Sequence, residues 1–451
     1  MAKVVLFILL LLPLLSIPTI SNAQTPGNVG TANLTAWFKP DALATGDVTA
    51  WTTSFPTGGG AITVTDALAP FPQATETPAG EISNYNMTIE FTDNTMASLK
   101  ALQTTATLNL LDNATATSEG TFFGTYYLPE TTANDHMMLY NEPGNDAIQF
   151  RNLGANGRLA LGRALFISTN ASDDWPEDFI PTIISYKGNR SGASTMSSYE
   201  RSLFFEGGGA SQSSGPAGLY FGIKPSTATS PYNGYLHEFI FFNRDLTDLE
   251  MSKVHTYLAV KYGITLDNTG GGTQGDYIAT NDVIIWDASV NPAFHQDVIG
   301  IGRDDDEALL QKQSHSFDDT TRIYISDLAA TNSSNAGIFD TNISYVTIGH
   351  NGNAICGVND EIPAALLPAN RLEREWKITK TNFDQTFNLD FTLNPCDPIA
   401  GFDPDLIRIL VDDDTDLSDA TSFGTAEGLD FSITGNILSI TGISNAHIPN
   451  N

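Results

Sequence analysis

The chain has 451 residues, which is long enough for two or three domains that each bury a hydrophobic core. It contains 21 lysine and arginine residues against 52 aspartate and glutamate residues, so its formal net charge is −31. This charge repels phosphate groups, so we do not expect nucleic acids or anionic membranes as partners, whereas cations, neutral glycans and basic proteins remain compatible with it.

The first 23 residues predict an export signal. Lys3 supplies a positive start, residues 4–15 are almost wholly apolar, and Ala23 ends a short run of small residues that suits a cleavage site. A transmembrane anchor is the alternative, but Pro13 interrupts an apolar run that is too short to span a bilayer. No later segment is apolar enough for membrane insertion. We therefore expect residues 1–23 to be removed and the protein to be secreted or held at the cell surface.

The next region, up to residue 263, predicts an all-β sandwich followed by one helix. Threonine, serine, glycine and asparagine are abundant, and about eleven short apolar runs recur between turn signals. Examples of these predicted strands are Leu34–Phe38, Gly120–Tyr127 and Tyr235–Phe242. A β-helix is the alternative fold, but it would need a fixed repeat period, and we find none.

The helix is predicted by signals at both of its ends. Thr247 and Glu250 have the spacing of a capping box, in which each residue satisfies a backbone amide near the helix start. Gly263 stands where a helix commonly ends on a residue in the left-handed conformation. These signals predict a helix over residues 247–262, directly after an apolar strand.

Two motifs in this region resemble one family of folds. Residues 34–41 read Leu-Thr-Ala-Trp-Phe-Lys-Pro-Asp, and residues 257–263 read Tyr-Leu-Ala-Val-Lys-Tyr-Gly. They resemble the opening strand and the closing helix of concanavalin A-like (laminin-G-like) jelly-roll domains of exported bacterial proteins. The resemblance implies a jelly roll over residues 24–263. It implies no particular ligand, because one fold carries many functions.

Residues 264–275 predict a glycine-rich linker, and residues 276–451 predict a second, smaller β-sandwich-like domain. Its segments 299–304 and 374–378 resemble an uncharacterised domain that follows the jelly roll in secreted proteins of gliding-type Gram-negative bacteria. Many such relatives carry a further C-terminal domain for type IX secretion. Two interpretations stay open for the end at Asn451, namely a truncated domain or another route out of the cell.

The two cysteines, Cys356 and Cys396, both fall in the second domain. Export makes a disulfide between them chemically favourable, and closing a loop of that length would stabilise the fold by about 4 kcal/mol. Two buried thiols are the alternative. Neither cysteine has a histidine at a spacing typical of a metal site or a nucleophile.

Two acidic clusters are candidate calcium sites, because hard cations prefer several oxygen ligands. The candidate ligands are Asp412, Asp414 and Asp416 in the first cluster and Asp304 and Asp306 in the second. Leu417 stands where an EF-hand needs glycine, so a solvated acidic turn is the alternative for the first cluster. An ordinary tight turn with an acidic surface is the alternative for the second. Calcium is the one cofactor that the sequence suggests.

Sequence signatures of catalysis are missing. Hydrolases of the laminarinase type, which share the concanavalin-like fold, carry their carboxylates in a Glu-x-Asp-x-x-Glu strand, and this chain has no such string. It also has no Gly-x-Ser-x-Gly elbow and no His-Glu-x-x-His helix. We therefore predict no catalytic residues.

Exposed aromatic residues on loops are the candidate ligand-binding groups. A ring face packs on the apolar side of a sugar, while amides take its hydroxyl groups. Trp175, Tyr232 and Asn233 fit this description, with ordinary loop packing as the alternative. We expect a non-catalytic binding or adhesion module for a glycan or a cell-surface protein. A structural spacer of a larger surface protein is the alternative, and a glycoside hydrolase or lyase is the second alternative.

Overall fold

The computed structural model describes most of the chain between residues 24 and 449. The described residues are 24–54, 63–68, 71–76, 82–92, 94, 99–104, 119–129, 135–142, 148–153, 158–161, 181–189, 194–200, 203–209, 218–222, 231–267, 275–318, 320–355, 358–367, 369, 371–393, 403–413 and 416–449. The predicted export signal, the candidate ligand residues Trp175 and Asp414, and both cysteines, Cys356 and Cys396, lie outside these ranges.

Within these residues, the first region forms two antiparallel sheets, sheet I and sheet II. Its strands are β1 (Leu34–Phe38), β2 (Gly46–Asp47), β3 (Ala50–Thr52), β4 (Thr63–Leu68), β5 (Gln73–Glu76), β6 (Met87–Glu90), β7 (Ala101–Thr104), β8 (Glu119–Tyr127), β9 (Asp135–Glu142), β10 (Ile148–Leu153), β11 (Arg158–Leu161), β12 (Pro181–Asn189), β13 (Ser194–Glu200), β14 (Leu203–Gly209), β15 (Gly218–Phe221) and β16 (Tyr235–Phe242). Sheet I has the order β14-β13-β12-β8-β16-β6-β5-β2, with β1 also paired to β16. Sheet II has the order β11-β10-β9-β15-β7-β4-β3.

The inner faces of the two sheets meet in an aromatic core. Phe38 of sheet I lies against Trp51 and Phe221 of sheet II, with ring centroids 5.3 and 5.4 Å apart. All three side chains are buried, as the alternation of inward and outward residues along each strand requires. Gly124 of β8 makes room for this packing, because a Cβ there would lie 2.7 Å from the ring of Phe239. The predicted all-β sandwich is confirmed.

The predicted helix is also confirmed, as α1 (Asp248–Tyr262). Thr247 caps it by accepting a hydrogen bond from the Glu250 amide, and the Glu250 carboxylate accepts one from the Thr247 amide at 2.8 Å. Gly263 ends it in the left-handed conformation, with φ of 66°. Within the described residues, no helix has the length and apolar character that crossing a bilayer requires.

Helix α1 lies between sheet I and the second region, and every residue from Val254 to Tyr262 is buried. We call the resulting cluster the shared core. Its main members are Trp37, Phe123, Ile240 and Phe242 of sheet I, Val254, Tyr257 and Leu258 of α1, and Tyr277, Trp286, Val298 and Tyr345 of the second region. One hydrophobic core therefore includes side chains from both predicted domains.

The predicted linker 264–275 begins inside this shared core. Ile264 and Leu266 are 2% and 0% exposed. The amide of Leu266 donates a hydrogen bond to the Tyr277 hydroxyl, and that hydroxyl lies 3.2 Å from the Ile264 carbonyl oxygen. The structure therefore differs from the prediction at residues 264–267, because alternate apolar side chains anchor this stretch before the glycines. The division into two separate domains stays a prediction.

A turn of the first region, residues 82–86, connects the end of α1 to the second region. The side-chain amide of Asn84 donates to the Lys261 carbonyl at 3.1 Å and to the Ser314 hydroxyl at 3.0 Å. Asn86 donates to the same carbonyl at 2.7 Å and to the side-chain oxygen of Gln311 at 3.1 Å. The last carbonyl groups of a helix have no intrahelical partner, so these amides complete the helix end.

The second region contains fifteen further strands among its described residues. They are β17 (Tyr277–Ile278), β18 (Ile284–Trp286), β19 (Gln296–Asp304), β20 (Leu309–Gln311), β21 (Gln313–His315), β22 (Thr321–Tyr324), β23 (Ser344–His350), β24 (Val358–Asn359), β25 (Arg371–Leu372), β26 (Trp376–Thr381), β27 (Phe387–Thr392), β28 (Ile409–Val411), β29 (Thr421–Phe423), β30 (Asp430–Thr434) and β31 (Ile437–Ile443). Sheet III has the order β20-β19-β23-β26, and sheet IV has the order β21-β22-β27-β31-β30. Three two-stranded sheets pair β17 with β18, β24 with β25, and β28 with β29.

Sheets III and IV share a second hydrophobic core, in which Ile301 and Val346 pack with Phe387.

The two glycines of β19 allow side chains of the neighbouring strand β23 to approach the backbone closely. A Cβ on Gly302 would lie 2.3 Å from the ring of Tyr345 on the neighbouring strand β23. Glycine is therefore required here by a close side-chain approach within a sheet.

Candidate functional site

The centre of the outer face of sheet I, on β1, β8 and β16, is closed to ligands. Its outward side chains include Trp37, Phe123 and Phe242, each at most 1% exposed. They are covered by α1 and by the second region in the shared core. A ligand of the sandwich therefore cannot reach this central part of sheet I.

A buried polar network lies beneath α1 on this closed face. At its centre is the carboxylate of Glu238, which is 0% exposed. It accepts hydrogen bonds from the Trp37 indole, from the hydroxyls of Tyr257 and Tyr262 at 3.2 and 3.0 Å, and from the Lys261 ammonium at 2.9 Å. The two motifs that resemble the jelly-roll family, at the start of the sandwich and the end of the helix, therefore meet at one carboxylate.

Opposite charges in this network favour the charged forms of Lys261 and Asp41. Burial alone would lower the pKa of Lys261, but Asp41 and Glu238 more than offset this, so the pKa lies above its ordinary value. Burial would likewise raise the pKa of Asp41, and the Lys261 ammonium 2.8 Å away more than reverses it. Because the contacts of Glu238 are internal, the network holds α1 on sheet I, and of the charged groups named here only Asp41 at its edge is exposed.

One buried histidine lies beside the network. His237 stacks on the Tyr262 ring with centroids 4.9 Å apart, and neither of its ring nitrogens has a hydrogen-bond partner among the described residues. Burial, followed by the charge of Lys261, lowers the pKa of His237 to about 3. The ring is therefore neutral at physiological pH.

The acidic turn, residues 304–307, does not have the geometry of a calcium site. Asp304 is 0% exposed and accepts hydrogen bonds from the Thr280 hydroxyl at 2.7 Å, the Tyr345 hydroxyl at 3.1 Å and the Asp306 amide at 3.1 Å. The prediction that Asp304 and Asp306 ligate calcium does not fit, because the Asp304 oxygens are already engaged internally. The side chain of Glu307 is also buried, 3.4 Å from the same tyrosine hydroxyl.

The other predicted calcium ligands lie on the turn between β28 and β29. Asp416 is exposed, and its carboxylate accepts a hydrogen bond from the Ser418 amide at 2.9 Å. Asp412 is half-buried, and Asp414 lies outside the described residues. Calcium binding by Asp412, Asp414 and Asp416 stays a prediction.

Three potential metal ligands meet in the second region, where Asp297, Asp318 and His350 place one ligand atom each within 4.8 Å of one another. Protein groups already engage these atoms. The Gly352 amide donates to Nδ1 of His350 at 2.9 Å, and Nε2 of His350 lies 3.2 Å from the Asp297 carboxylate. The Arg374 guanidinium donates to Asp318 at 3.0 Å and supplies the positive charge. The group is a hydrogen-bonded ion cluster.

The predicted ligand Tyr232 is not exposed, and that prediction is wrong. The residue is 0% exposed, and its hydroxyl lies 3.0 Å from the carbonyl oxygens of both Tyr127 and Tyr235. The polar run around it predicts a surface turn, but the chain folds the ring back into the sandwich against Phe91. Asn233 is half-buried, and its side-chain oxygen has no hydrogen-bond partner among the described residues.

The outer face of sheet II holds an aromatic residue beside an amide. Along β15, Leu219 and Phe221 are buried and Tyr220 between them is half-buried, so Tyr220 lies on the outer side. Its hydroxyl accepts a hydrogen bond from the side-chain amide of Gln103 at 2.8 Å, and Gln103 is also half-buried. The sequence analysis did not identify this pair, although the alternation along β15 was the signal that could have revealed Tyr220.

One protein-family comparison gives a match. A family model described as "Domain of unknown function (DUF8202)" matches residues 250–442, less than half of the chain. The matched segment begins inside α1 and runs into β31, so it includes the helix that the sequence analysis assigned to the first domain. A search of curated proteins finds no match.

Solved structures include several with weak likeness to this chain. Domain 4 of AbnA, a GH43 extracellular arabinanase from Geobacillus stearothermophilus, in complex with arabinotriose, is 13% identical over 49% of this chain and 98% of its own, with a TM-score of 0.35. The binding domain of Botulinum neurotoxin serotype G is 10% identical over 55% and 59%, with a TM-score of 0.36. The CBM40 of the Ruminococcus gnavus IT-sialidase is 12% identical over 30% and 82%, with a TM-score of 0.23. At these scores the likenesses carry no argument about function.

Proposed function

We propose that this protein is an exported, non-catalytic binding module that recognises a glycan or a protein at or outside the cell surface. The observation that carries the proposal is the asymmetry of the sandwich. Helix α1 and the second region cover the centre of the outer face of sheet I, whereas sheet II presents the half-buried Tyr220 and Gln103 on its outer side. An aromatic ring beside an amide is a common arrangement for a binding surface.

The described carboxylates support a binding role over catalysis. Glu238 and Asp304 are enclosed and hydrogen-bonded within the protein, as described above. A glycoside hydrolase needs two carboxyl groups that both face a substrate, about 5 to 10 Å apart. A structural spacer is the second candidate, and the shared core favours it, because one core holds both regions in a fixed arrangement.

The predicted export signal and the net charge support a place outside the cell. A chain with a net charge of −31 stays soluble and avoids anionic surfaces, which suits a protein that works outside the cell. We infer secretion or cell-surface retention.

A binding assay tests this proposal directly. Residues 24–451 would be labelled with a fluorophore and applied to a glycan array and to intact bacterial cells, some treated with periodate to oxidise glycans and some with protease. Saturable binding that one treatment removes supports a binding module and identifies the ligand class. An equally acidic unrelated protein controls for charge. Absence of binding to both the array and the untreated cells would leave the spacer as the better description.

A further inference from the structure

A buried lysine of sheet III meets an asparagine from the segment that follows sheet IV. Lys380, on β26, is 6% exposed. Its amino group donates to the side-chain oxygen Oδ1 of Asn445 and to the carbonyl oxygen of Ile448, so both of these partners are neutral. The exposed carboxylate of Asp384 completes the group, because its Oδ1 accepts a hydrogen bond from the amide nitrogen Nδ2 of Asn445 at 2.7 Å.

The turn that carries Asn445 is held in place by its own hydrogen bonds. The amides of His447 and Ile448 both donate to the Ser444 carbonyl oxygen at 3.0 Å. The Ser444 amide donates to Nδ1 of His447 at 3.1 Å, and Ile448 packs against the core of sheets III and IV. The side-chain amide of Asn445 is therefore held beside Lys380, and two groups held in this way react far faster than the same groups free in solution.

The surroundings of Lys380 favour a reactive amine. Burial lowers the pKa of Lys380, and the negative charge of Asp384 offsets this effect only in part. A lysine is a nucleophile once it has lost its proton, and burial without a tightly bound anion makes that loss easier. A carboxyl group at the nitrogen of the asparagine amide is placed to carry a proton to that nitrogen.

We propose that Lys380 and Asn445 form an intramolecular isopeptide bond, that is, an amide between two side chains, with Asp384 as the proton carrier. The lone pair of the neutral Nζ attacks Cγ of Asn445. A C–N bond forms to Nζ, and the bond from Cγ to Nδ2 breaks. Asp384 takes the proton that Nζ loses and passes it to Nδ2, which leaves as ammonia. The reaction consumes no other reagent, and Oδ1 remains the carbonyl oxygen of the new amide.

The bond joins β26 of sheet III to the chain just after β31 of sheet IV. It therefore links the two sheets covalently beside the core that they share. A covalent link between distant positions restricts the unfolded chain and keeps the two sheets together under mechanical load. This inference goes beyond the proposed binding function and does not depend on it.

Mass spectrometry of residues 24–451, after reduction of any disulfide, tests the bond. We expect an intact mass about 17 Da below that of the sequence, because one ammonia is lost. A glutamine at the amino terminus can lose the same mass, so tandem mass spectrometry of a tryptic digest must locate the change. We expect a branched peptide in which Lys380 resists cleavage and is joined to Asn445.

Variants separate the reacting groups from the proton carrier. Lys380→Arg and Asn445→Ala should each remove the branched peptide completely. Asp384→Asn keeps both reacting groups, and it should fold because Asp384 is exposed; it should slow bond formation at least about tenfold. Lys377→Arg changes a half-buried lysine on the same strand and is the matched control, which should keep the branched peptide. Circular dichroism checks that each variant folds.

The possible results are distinct. A wild type that keeps the full mass and gives no branched peptide, even after prolonged incubation at neutral pH, overturns the inference and leaves the proposed binding function unaffected. A mass loss that persists in Lys380→Arg, with no peptide joined at that lysine, also overturns it. A branched peptide that forms as fast in Asp384→Asn as in the wild type overturns the role of Asp384.

Discussion

Glu238 explains why two distant motifs occur in the same chain. A carboxylate without solvent exposure is strongly unfavourable unless its oxygens are paired and hydrogen-bonded. Here Trp37 comes from the opening strand, and Tyr257, Lys261 and Tyr262 come from the end of α1. The network fixes the rotation of the helix on sheet I, because only one helix face presents all three partners to the acid.

Removing the central charge should strongly destabilise the fold. We expect Glu238→Gln to lower the free energy of unfolding by about 3 to 5 kcal/mol, because the buried Lys261 ammonium loses one of its two anionic partners. The measurement is urea unfolding followed by tryptophan fluorescence. Asp430→Asn is the matched control, since Asp430 is exposed on β30, and it should change stability by less than about 0.5 kcal/mol. Equal effects of the two variants would contradict the assigned role.

The acidic turn predicts a specific pH dependence. Burial, followed by the neighbouring Asp304, raises the pKa of Glu307 well above its ordinary value of 4.5. The folded protein therefore holds this proton at pH values where the unfolded chain has released it. The stability that depends on the proton is complete below about pH 4.5 and is lost as the pH rises through the folded-state pKa.

Glu307→Gln removes this titration and provides the test. The free energy of unfolding of the variant minus that of the wild type should increase between pH 5 and pH 9, because only the wild type loses the stability that depends on this proton. Urea unfolding at several pH values measures the difference, and general charge repulsion cancels because both proteins carry it. A difference that stays constant over this range would show that Glu307 does not titrate in this way.

At the scale of elements, α1 could be predicted from the sequence, whereas the pairing of Tyr220 with Gln103 could not. The signals of the helix are local, since Thr247, Glu250 and Gly263 act within one turn of its ends. The contact between Tyr220 and Gln103 depends on strand register, which is a non-local property. Tyr232 illustrates the same limit, because a turn-like sequence gives no information on whether its ring points into the core.

The short helical turn Pro26–Asn28 is a second element that packs on α1, and it depends on a glycine. Gly27 has φ of +62°, and a Cβ there would lie 2.9 Å from the backbone nitrogen of Val254. Gly435, in the turn before β31, has φ of +60° with no atom within 4 Å of such a Cβ. The two positions therefore share the same backbone strain and differ only in crowding.

Alanine substitutions at Gly27 and Gly435 separate the cost of backbone strain from the cost of crowding. Gly435→Ala should cost about 1 kcal/mol through the left-handed conformation alone. Gly27→Ala should cost about 2 kcal/mol more, because either the turn or α1 must move. The midpoints of urea unfolding measure both. Similar losses for the two variants would indicate that the turn does not press on the helix.

For the whole molecule, the shared core predicts cooperative unfolding. Trp37 of sheet I and Trp286 and Val298 of the second region belong to one buried cluster around α1. Asn84 and Asn86 add hydrogen bonds across the same boundary. Neither region can lose α1 without exposing apolar side chains to water, which is the main unfavourable term in partial unfolding.

We expect residues 24–451 to show one calorimetric transition, with equal calorimetric and van't Hoff enthalpies. Residues 276–451 alone should bind the dye ANS, because Tyr277, Trp286 and Val298 would be uncovered. Two separate transitions in the full chain, or a fragment that folds without binding the dye, would contradict a single cooperative unit.

Because α1 packs on both sheet I and the second region, it limits where the chain can be divided. A gene fragment cut at the start of the family match would begin at Glu250 and lose Thr247, so the helix would lack its capping box. Its other face would meet water where sheet I had been. Gene recombination therefore preserves both cores only when the sandwich, the helix and the second region stay in one segment. The same holds for a fragment that is cut out for crystallisation.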